Sequence, residues 1–376
     1  MNPRILFYVQ HLLGIGHVKR AAAIARAMSD AGMDVTVVSG GPPVPLADFG
    51  GAAVRQLPAA RAADSSFKIL LDDEDQPITD AWRQNRRTVL QEIYTELQPD
   101  LVLIELFPFG RRQFRFELLP LLKGIGKRIP VVCSVRDVLV GRRKPERDTE
   151  TTEIILRYFD HVLVHGDEQL IAFDETFPAA ARFQDRISYT GYVTDDGATR
   201  VPTPAGTGEV IVSTGSGAVG EKLLRVALQA RPLGNASHLP WRLLTGDYLS
   251  NTAFEAIRTG VPENVSVERS RPEFRDMLFN AALSVSLGGY NTVMDVLCAH
   301  CPAVIVPFAD SGEGEQTYRA RVFARHGWIH LLEPGALSAA TLSAVMDAAL
   351  AAGRPEAIDI DMTGAATTAR LIRDMV

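Results

Sequence analysis

Arg4-Ile5-Leu6-Phe7-Tyr8-Val9 is a short run of β-forming, mostly apolar residues, and it leads into the turn Gly14-Ile15-Gly16. From about His17 to Ala31 the pattern becomes helical, Gly32 stops it, and residues 33–38 form a second apolar run. Strand, glycine loop, helix, strand is the building block of a parallel sheet covered by helices on both faces. This unit decides the fold class as α/β.

The pattern continues outward. Residues 101–104, 130–135 and 161–164 are near-continuous apolar runs, as strands buried on both faces require. Helices are expected near 80–97, 117–122 and 151–158. Val193-Thr194-Asp195-Asp196-Gly197 and Pro202-Thr203-Pro204-Ala205-Gly206-Thr207-Gly208 then have the composition of a linker. A strand at 210–212 follows, ending in Ser213-Thr214-Gly215-Ser216-Gly217 before another helix, so the second half restarts the logic of the first. Further strands are expected at 241–244, 265–267, 283–285 and 304–306, with helices at 273–282, 291–299 and 317–325. The expected division is a first domain at 1–195, a linker at 196–208, a second domain at 209–360, and a C-terminal helix in 361–376 packing back on the first domain.

A chain of 376 residues suits two domains of about 150–200 residues each. With 46% hydrophobic and 22% charged residues it is a folded protein, and a net charge of -6 argues against a dedicated nucleic-acid binder. Cys298-Ala-His-Cys301 has no second ligand pair, so no zinc site is expected. No stretch approaches the ~20 apolar residues of a membrane span, and a cytoplasmic location is expected. The segment 111–147 is locally basic, with Arg111, Arg112, Arg115, Lys123, Lys127, Arg128, Arg136, Arg142, Arg143, Lys144 and Arg147. It is either a solvated face or a surface for an anionic acceptor or a membrane.

In open α/β sheets ligands bind beyond the carboxyl ends of the strands. In Gly14-Ile15-Gly16-His17-Val18-Lys19-Arg20 the glycines admit close backbone approach, and His17 sits at a helix N-terminus that disfavours imidazolium. A neutral histidine there is a candidate general base; the alternative is a capping residue. Gly14, Gly16, Arg20, Arg112 and Arg136 are candidates for a phosphate or acceptor, and Glu105 or Asp137 for orienting His17. Ser213, Gly215, Ser216 and Gly217 suit diphosphate oxygens, or form an ordinary turn. Gly288-Gly289-Tyr290-Asn291-Thr292 opens another helix, and Asp295, expected on its first turn or so, suits a ribose diol. Glu315 and Gln316, followed by Arg319, suit sugar hydroxyls, although acids at helix starts also simply complement the dipole.

Gly288-Gly289-Tyr290-Asn291-Thr292-Val293-Met294-Asp295, Pro302-Ala303-Val304-Ile305-Val306-Pro307 and Glu315-Gln316-Thr317-Tyr318-Arg319-Ala320 together resemble the C-terminal donor domain of glycosyltransferase family 28. The loop Gly14-Ile15-Gly16-His17 resembles that group's N-terminal glycine loop. The resemblance implies a GT-B fold, two Rossmann-like parallel-sheet domains facing across a cleft. It also implies transfer of a hexose from a nucleoside-diphosphate sugar, expected to be UDP-linked, with no metal or further cofactor. Asp295 then matches the ribose-binding acid, Gly288 and Gly289 the diphosphate turn, Glu315 and Gln316 the hexose contacts, and His17 the base. The sequence departs from the family at Asp295, Glu315 and Arg319, where glutamate, histidine and asparagine are usual. The same Gly-x-Gly-His-x-x-Arg loop resembles a UDP-sugar hydrolase of pseudaminic acid synthesis. The UDP-N-acetylglucosamine 2-epimerases share the architecture. A nucleotide-sugar-binding module without turnover is the non-enzymatic alternative.

Overall fold

The computed structural model describes residues 2–12, 16–45, 47–64, 67–139, 145–194, 203–215, 220–247, 249–308 and 314–376. The chain divides into two compact units, Met1–Gly197 with Ile360–Val376, and Ala198–Asp359.

The first unit contains β1 (Arg4–Val9), β2 (Asp34–Ser39), β3 (Ala53–Gln56), β4 (Arg61–Ala62), β5 (Leu70–Leu71), β6 (Leu101–Glu105), β7 (Val131–Arg136), β8 (His161–His165) and β9 (Ile187–Tyr189). Seven of these form one sheet in the order β3-β2-β1-β6-β7-β8-β9, parallel throughout, while β4 and β5 make a small antiparallel pair. The alternation of β1 buries Leu6 and Tyr8 in one core and Ile5, Phe7 and Val9 in the other, which explains its unbroken apolar reading. The C-terminal helix Gly364–Asp374 contributes Ala365, Ala369 and Ile372 to the same core as Ala21, Ile24 and Met28 of the helix Gly16–Asp30.

The second unit contains β10 (Val210–Ser213), β11 (Trp241–Thr245), β12 (Val265–Arg269), β13 (Leu283–Leu287), β14 (Ala303–Val306) and β15 (His330–Leu331). They form a parallel sheet in the order β12-β11-β10-β13-β14-β15. Both sheets therefore run outward from a central strand in one direction and then in the other. Each has one switch point, between β1 and β6 in the first and between β10 and β13 in the second.

Every apolar run read as a strand forms one. The strands not foreseen are edges: all four residues of β3 are exposed, and β15 has only two residues. The helix expected at 273–282 stops at Leu278; beyond it the Asn280 N–H bonds Met277 O (3.1 Å), out of the helical i→i−4 register, and Arg354 Nη2 donates to the carbonyls of Phe279 and Ala281 at 2.9 Å each. The helix expected from 151 begins at Pro145, whose missing N–H falls where a helix has no acceptor for it.

A buried polar knot lies under the carboxyl end of β1. Arg86, from the helix Asp80–Leu97, donates from Nε to Glu117 Oε2 (2.8 Å) and from Nη1 to Gly40 O (2.7 Å) and Pro58 O (2.5 Å). Its Nη2 donates to Gln10 Oε1 (2.6 Å) and Glu117 Oε1 (3.0 Å), and Tyr8 Oη donates to Glu117 Oε1 at 2.5 Å. Arg86 and Glu117 are both fully buried. A Cβ on Gly40 would sit 2.1 Å from Gln10 Oε1 and 2.3 Å from Arg86 Nη2, so a larger residue there would have to displace the knot. Removing one partner of such a pair strands the other's charge. Arg86→Met should therefore cost about 3–5 kcal/mol in urea unfolding, and adding Glu117→Leu should recover part of that loss.

Candidate active site

Glu105 ends β6, and His17 is the second residue of the helix that follows β1, so the two meet at the first switch point. His17 Nδ1 lies 2.6 Å from Glu105 Oε1, and Arg20 Nη2 donates to the same oxygen at 2.5 Å. Arg20 stands one helical turn after His17, which brings both side chains to one carboxylate. Side-chain exposure is 17% for His17 and 1% for both Arg20 and Glu105.

Burial alone would push the Glu105 carboxyl up, but His17, Arg20 and Arg111 overcome it and hold it down to about 2. Burial and the positive fields of Arg136 and Arg111 lower His17 to about 3 against the pull of Glu105. Glu105 is thus an acceptor only and His17 is neutral at ordinary pH. In that state the hydrogen of the pair sits on His17 Nδ1, and Nε2 is left as the basic nitrogen.

Of the two acids considered as partners for His17, Glu105 is the one that bonds it. Asp137 is fully buried just past β7 and packs on Gly166, where a Cβ would lie 2.5 Å from the Asp137 Cβ. Arg136, at the end of β7, acts on His17 through its charge. Arg20 requires a correction: it is turned inward to Glu105 and does not reach outward for phosphate, because the buried carboxylate needs its charge. Arg112 is also placed differently, since it pairs with Glu150, as Arg115 does. The basic segment is further broken up by Lys127, which pairs with Asp160 (2.9 Å), and by Arg128, which donates to Ile125 O (3.1 Å). Arg142, Arg143 and Lys144 lie outside the described residues, as does Gly14; Gly16 opens the helix.

Three participants at this end of the sheet were not singled out in advance. Arg111 adopts a positive φ of 56° and donates from Nε to Gln10 O at 2.6 Å. Buried His11 is lowered to about 4 by burial and by Arg111. Fully buried His165, at the end of β8, lies between Ser134 Oγ (2.7 Å) and Thr190 Oγ1 (2.9 Å), and burial and Arg20 push it well below the ordinary range. The sequence signal was membership of the basic segment 111–147 for Arg111 and position after a strand for His165.

At the second switch point, β10 ends at Ser213, whose Oγ accepts from the Gly215 N–H at 3.2 Å; Gly215 has φ 68°. Gly289 caps the helix Tyr290–Cys298. A Cβ on Gly215 or Gly289 would lie 3.7 or 3.8 Å from Thr292 Oγ1, so the two glycine turns converge on the start of this helix. The first N–H groups of a helix have no intrahelical acceptor, which makes such a convergence suited to an anion. Asn291 and Thr292 are half-buried there. Asp295 is half-buried too and sits on the second turn, further along than the sequence reading placed it.

The turn after β14 packs on this corner. A Cβ on Gly288 would meet Pro307 Cα at 3.3 Å and Gln316 Cβ at 3.4 Å. Gln316 Oε1 accepts from the Phe308 N–H at 2.9 Å, which orients that amide, and half-buried Glu315 opens the helix Glu315–Arg325. Tyr290 and Arg319 are buried, with the guanidinium 5.1 Å from the ring centroid, so they brace two helices from inside. Ser216, Gly217 and residues 309–313 lie outside the described residues.

Residues 210–368 match the glycosyltransferase family 28 C-terminal domain. Among solved structures, the chain is similar to MurG of Acinetobacter baumannii, at 18% identity and TM-score 0.62 over 99% of this chain and 100% of that one. It is similar to SnogD of Streptomyces nogalater, at 17% identity and TM-score 0.62 over 100% of both chains. It also resembles the Streptomyces sp. SF2575 glycosyltransferase SsfS6 complexed with thymidine diphosphate, at 17% identity and TM-score 0.59 over 99% of this chain and 100% of that one. No curated protein sequence matches. The fold and the family match define a glycosyltransferase with the GT-B fold. The match to family 28 is confined to residues 210–368, the C-terminal part of the chain.

The buried imidazoles make stability depend on pH. In the unfolded chain His11, His17 and His165 take up protons as the pH falls through about 6.5. In the folded chain His11 stays neutral to about 4, His17 to about 3, and His165 also titrates far below its ordinary range. The unfolded state then binds more protons, so stability falls on acidification below pH 6.5, with a slope approaching about 4 kcal/mol per pH unit near pH 5. Urea unfolding at intervals between pH 7 and 5 measures this slope.

Proposed function

We propose that the enzyme transfers a hexose from a nucleoside-diphosphate sugar, expected to be UDP-linked, to an acceptor hydroxyl, with His17 as general base. The observation that carries this reading is the bond from His17 to the buried carboxylate of Glu105 at the switch point of the first sheet. A carboxylate on Nδ1 leaves Nε2 free of hydrogen and steadies the imidazolium that forms when Nε2 takes the acceptor proton. His17, held down to about 3 in the free protein, is unprotonated and ready across the neutral range. An anion bound beside the imidazole would raise its basicity.

The donor diphosphate is assigned to the glycine turns at Gly215 and Gly288-Gly289, where helix N–H groups would stabilise the leaving group. Asp295 is assigned to the ribose hydroxyls, and Glu315 with the amide of Gln316 to the hexose. A pyrimidine base is supported by the family resemblance and by the thymidine diphosphate complex of SsfS6.

Calorimetric titration with UDP, TDP, GDP and CDP tests the donor assignment. UDP should bind most tightly, and Asp295→Ala should weaken it by about tenfold, the equivalent of one lost hydrogen bond to a charged group. Absence of binding by all four would rule the assignment out. With a turned-over UDP-sugar in hand, His17→Ala should lower kcat/KM by about 10²–10⁴-fold. The wild-type acid limb of kcat/KM should fall below pH 5, since this profile reports the free enzyme. A limb near pH 6.5 would assign the base to another group.

A further inference from the structure

We propose that Arg20 is a positioning residue, whose guanidinium keeps Glu105 in the charge state and geometry that present His17 as its Nδ1–H tautomer. This rests on His17 being the base, and it gives a purpose to the three-residue spacing between His17 and Arg20. Both side chains end on a single oxygen, Glu105 Oε1, at 2.6 Å and 2.5 Å. With Arg20 and Glu105 each 1% exposed, neither can exchange the other for water.

A carboxylate buried this deeply pays heavily for its charge unless a cation meets it. Without Arg20, Glu105 would keep His17 as its one hydrogen-bond donor among the described residues and only the through-space charge of Arg111, and the pair would gain a proton at higher pH. If the proton settles on Glu105, its hydroxyl donates to Nδ1, the ring hydrogen moves to Nε2, and the base is lost. If it settles on His17, the ring becomes imidazolium and the base is again lost. The two sites titrate as one pair, so both routes raise the same apparent midpoint.

The surroundings do not supply a substitute. Arg111, from the segment after β6, and Arg136, at the end of β7, act on His17 by charge. Arg111 also acts on Glu105, and on His11 beside it. His165, on β8, is held neutral next to Arg20 and is engaged by Ser134 and Thr190. Among these, Arg20 is the cation for which a hydrogen bond to Glu105 is seen.

The test is nitrogen NMR of the full chain labelled at histidine, with His17 identified by the signal missing in His17→Gln. In the wild type the ring should stay neutral with hydrogen on Nδ1 from pH 8 to pH 5. In Arg20→Gln and Arg20→Met it should become imidazolium or switch to Nε2–H within that window, a midpoint rise of at least about two pH units from the wild-type position near 3. Arg20→Lys keeps the charge and should restore the neutral Nδ1–H ring, which keeps the test decisive if a neutral variant does not fold. A His17 ring unchanged in every folded neutral variant, or one altered equally by Arg20→Lys, would overturn the proposal. Failure of the base reading shows separately, as full transfer activity in His17→Ala, because the ring spectrum needs no substrate.

Discussion

A parallel strand buried on both faces can present polar side chains to a ligand only where it ends. In β1 every residue from Ile5 to Val9 is buried, and the first polar side chains after it, Gln10 and His11, are at once drawn into hydrogen bonds or charge contacts. The same constraint puts Glu105 at the last position of β6 and His165 at the last position of β8. Helices that cross back over the sheet then bring their first turns to the same edge. Both candidate sites follow from this one restriction.

What separates the two sites is their electrostatics. In the first unit a buried carboxylate is met by a guanidinium and an imidazole on one oxygen, and further cations lie close by. That arrangement suits the movement of a proton. In the second unit the corner is built from glycines, a threonine and helix N–H groups, and its charged Arg319 is spent on packing against Tyr290. That arrangement suits an anion held by backbone dipoles. The Arg86–Glu117 knot belongs to neither site, but it ties Gln10 to the sheet and so holds the chain leading toward His17.

The match to the family 28 domain covers residues 210–368, whereas the similarity to solved GT-B structures spans the whole chain at low identity. The second half is thus matched by its sequence, and the first half by its fold alone.

Central strands were legible in the sequence because burial on two faces favours a nearly unbroken apolar run, and the turns at Gly215 and Gly288-Gly289 because glycines punctuate the passage from strand to helix. Edge strands such as β3 were not, since an exposed strand carries no apolar run. The sequence alone therefore determined two open α/β units, the glycine loops of each, and His17 as the residue to watch. It could not choose between Glu105 and Asp137 as the partner of His17, because both follow strand ends and differ only in where their side chains point. Nor could it show that Arg20 turns inward, that Arg112 belongs to Glu150, or that Tyr290 and Arg319 stack out of reach of solvent. Those choices are made by contacts between residues far apart in the chain, and a charged side chain has no sequence signature for whether its partner is water, a ligand or a buried carboxylate.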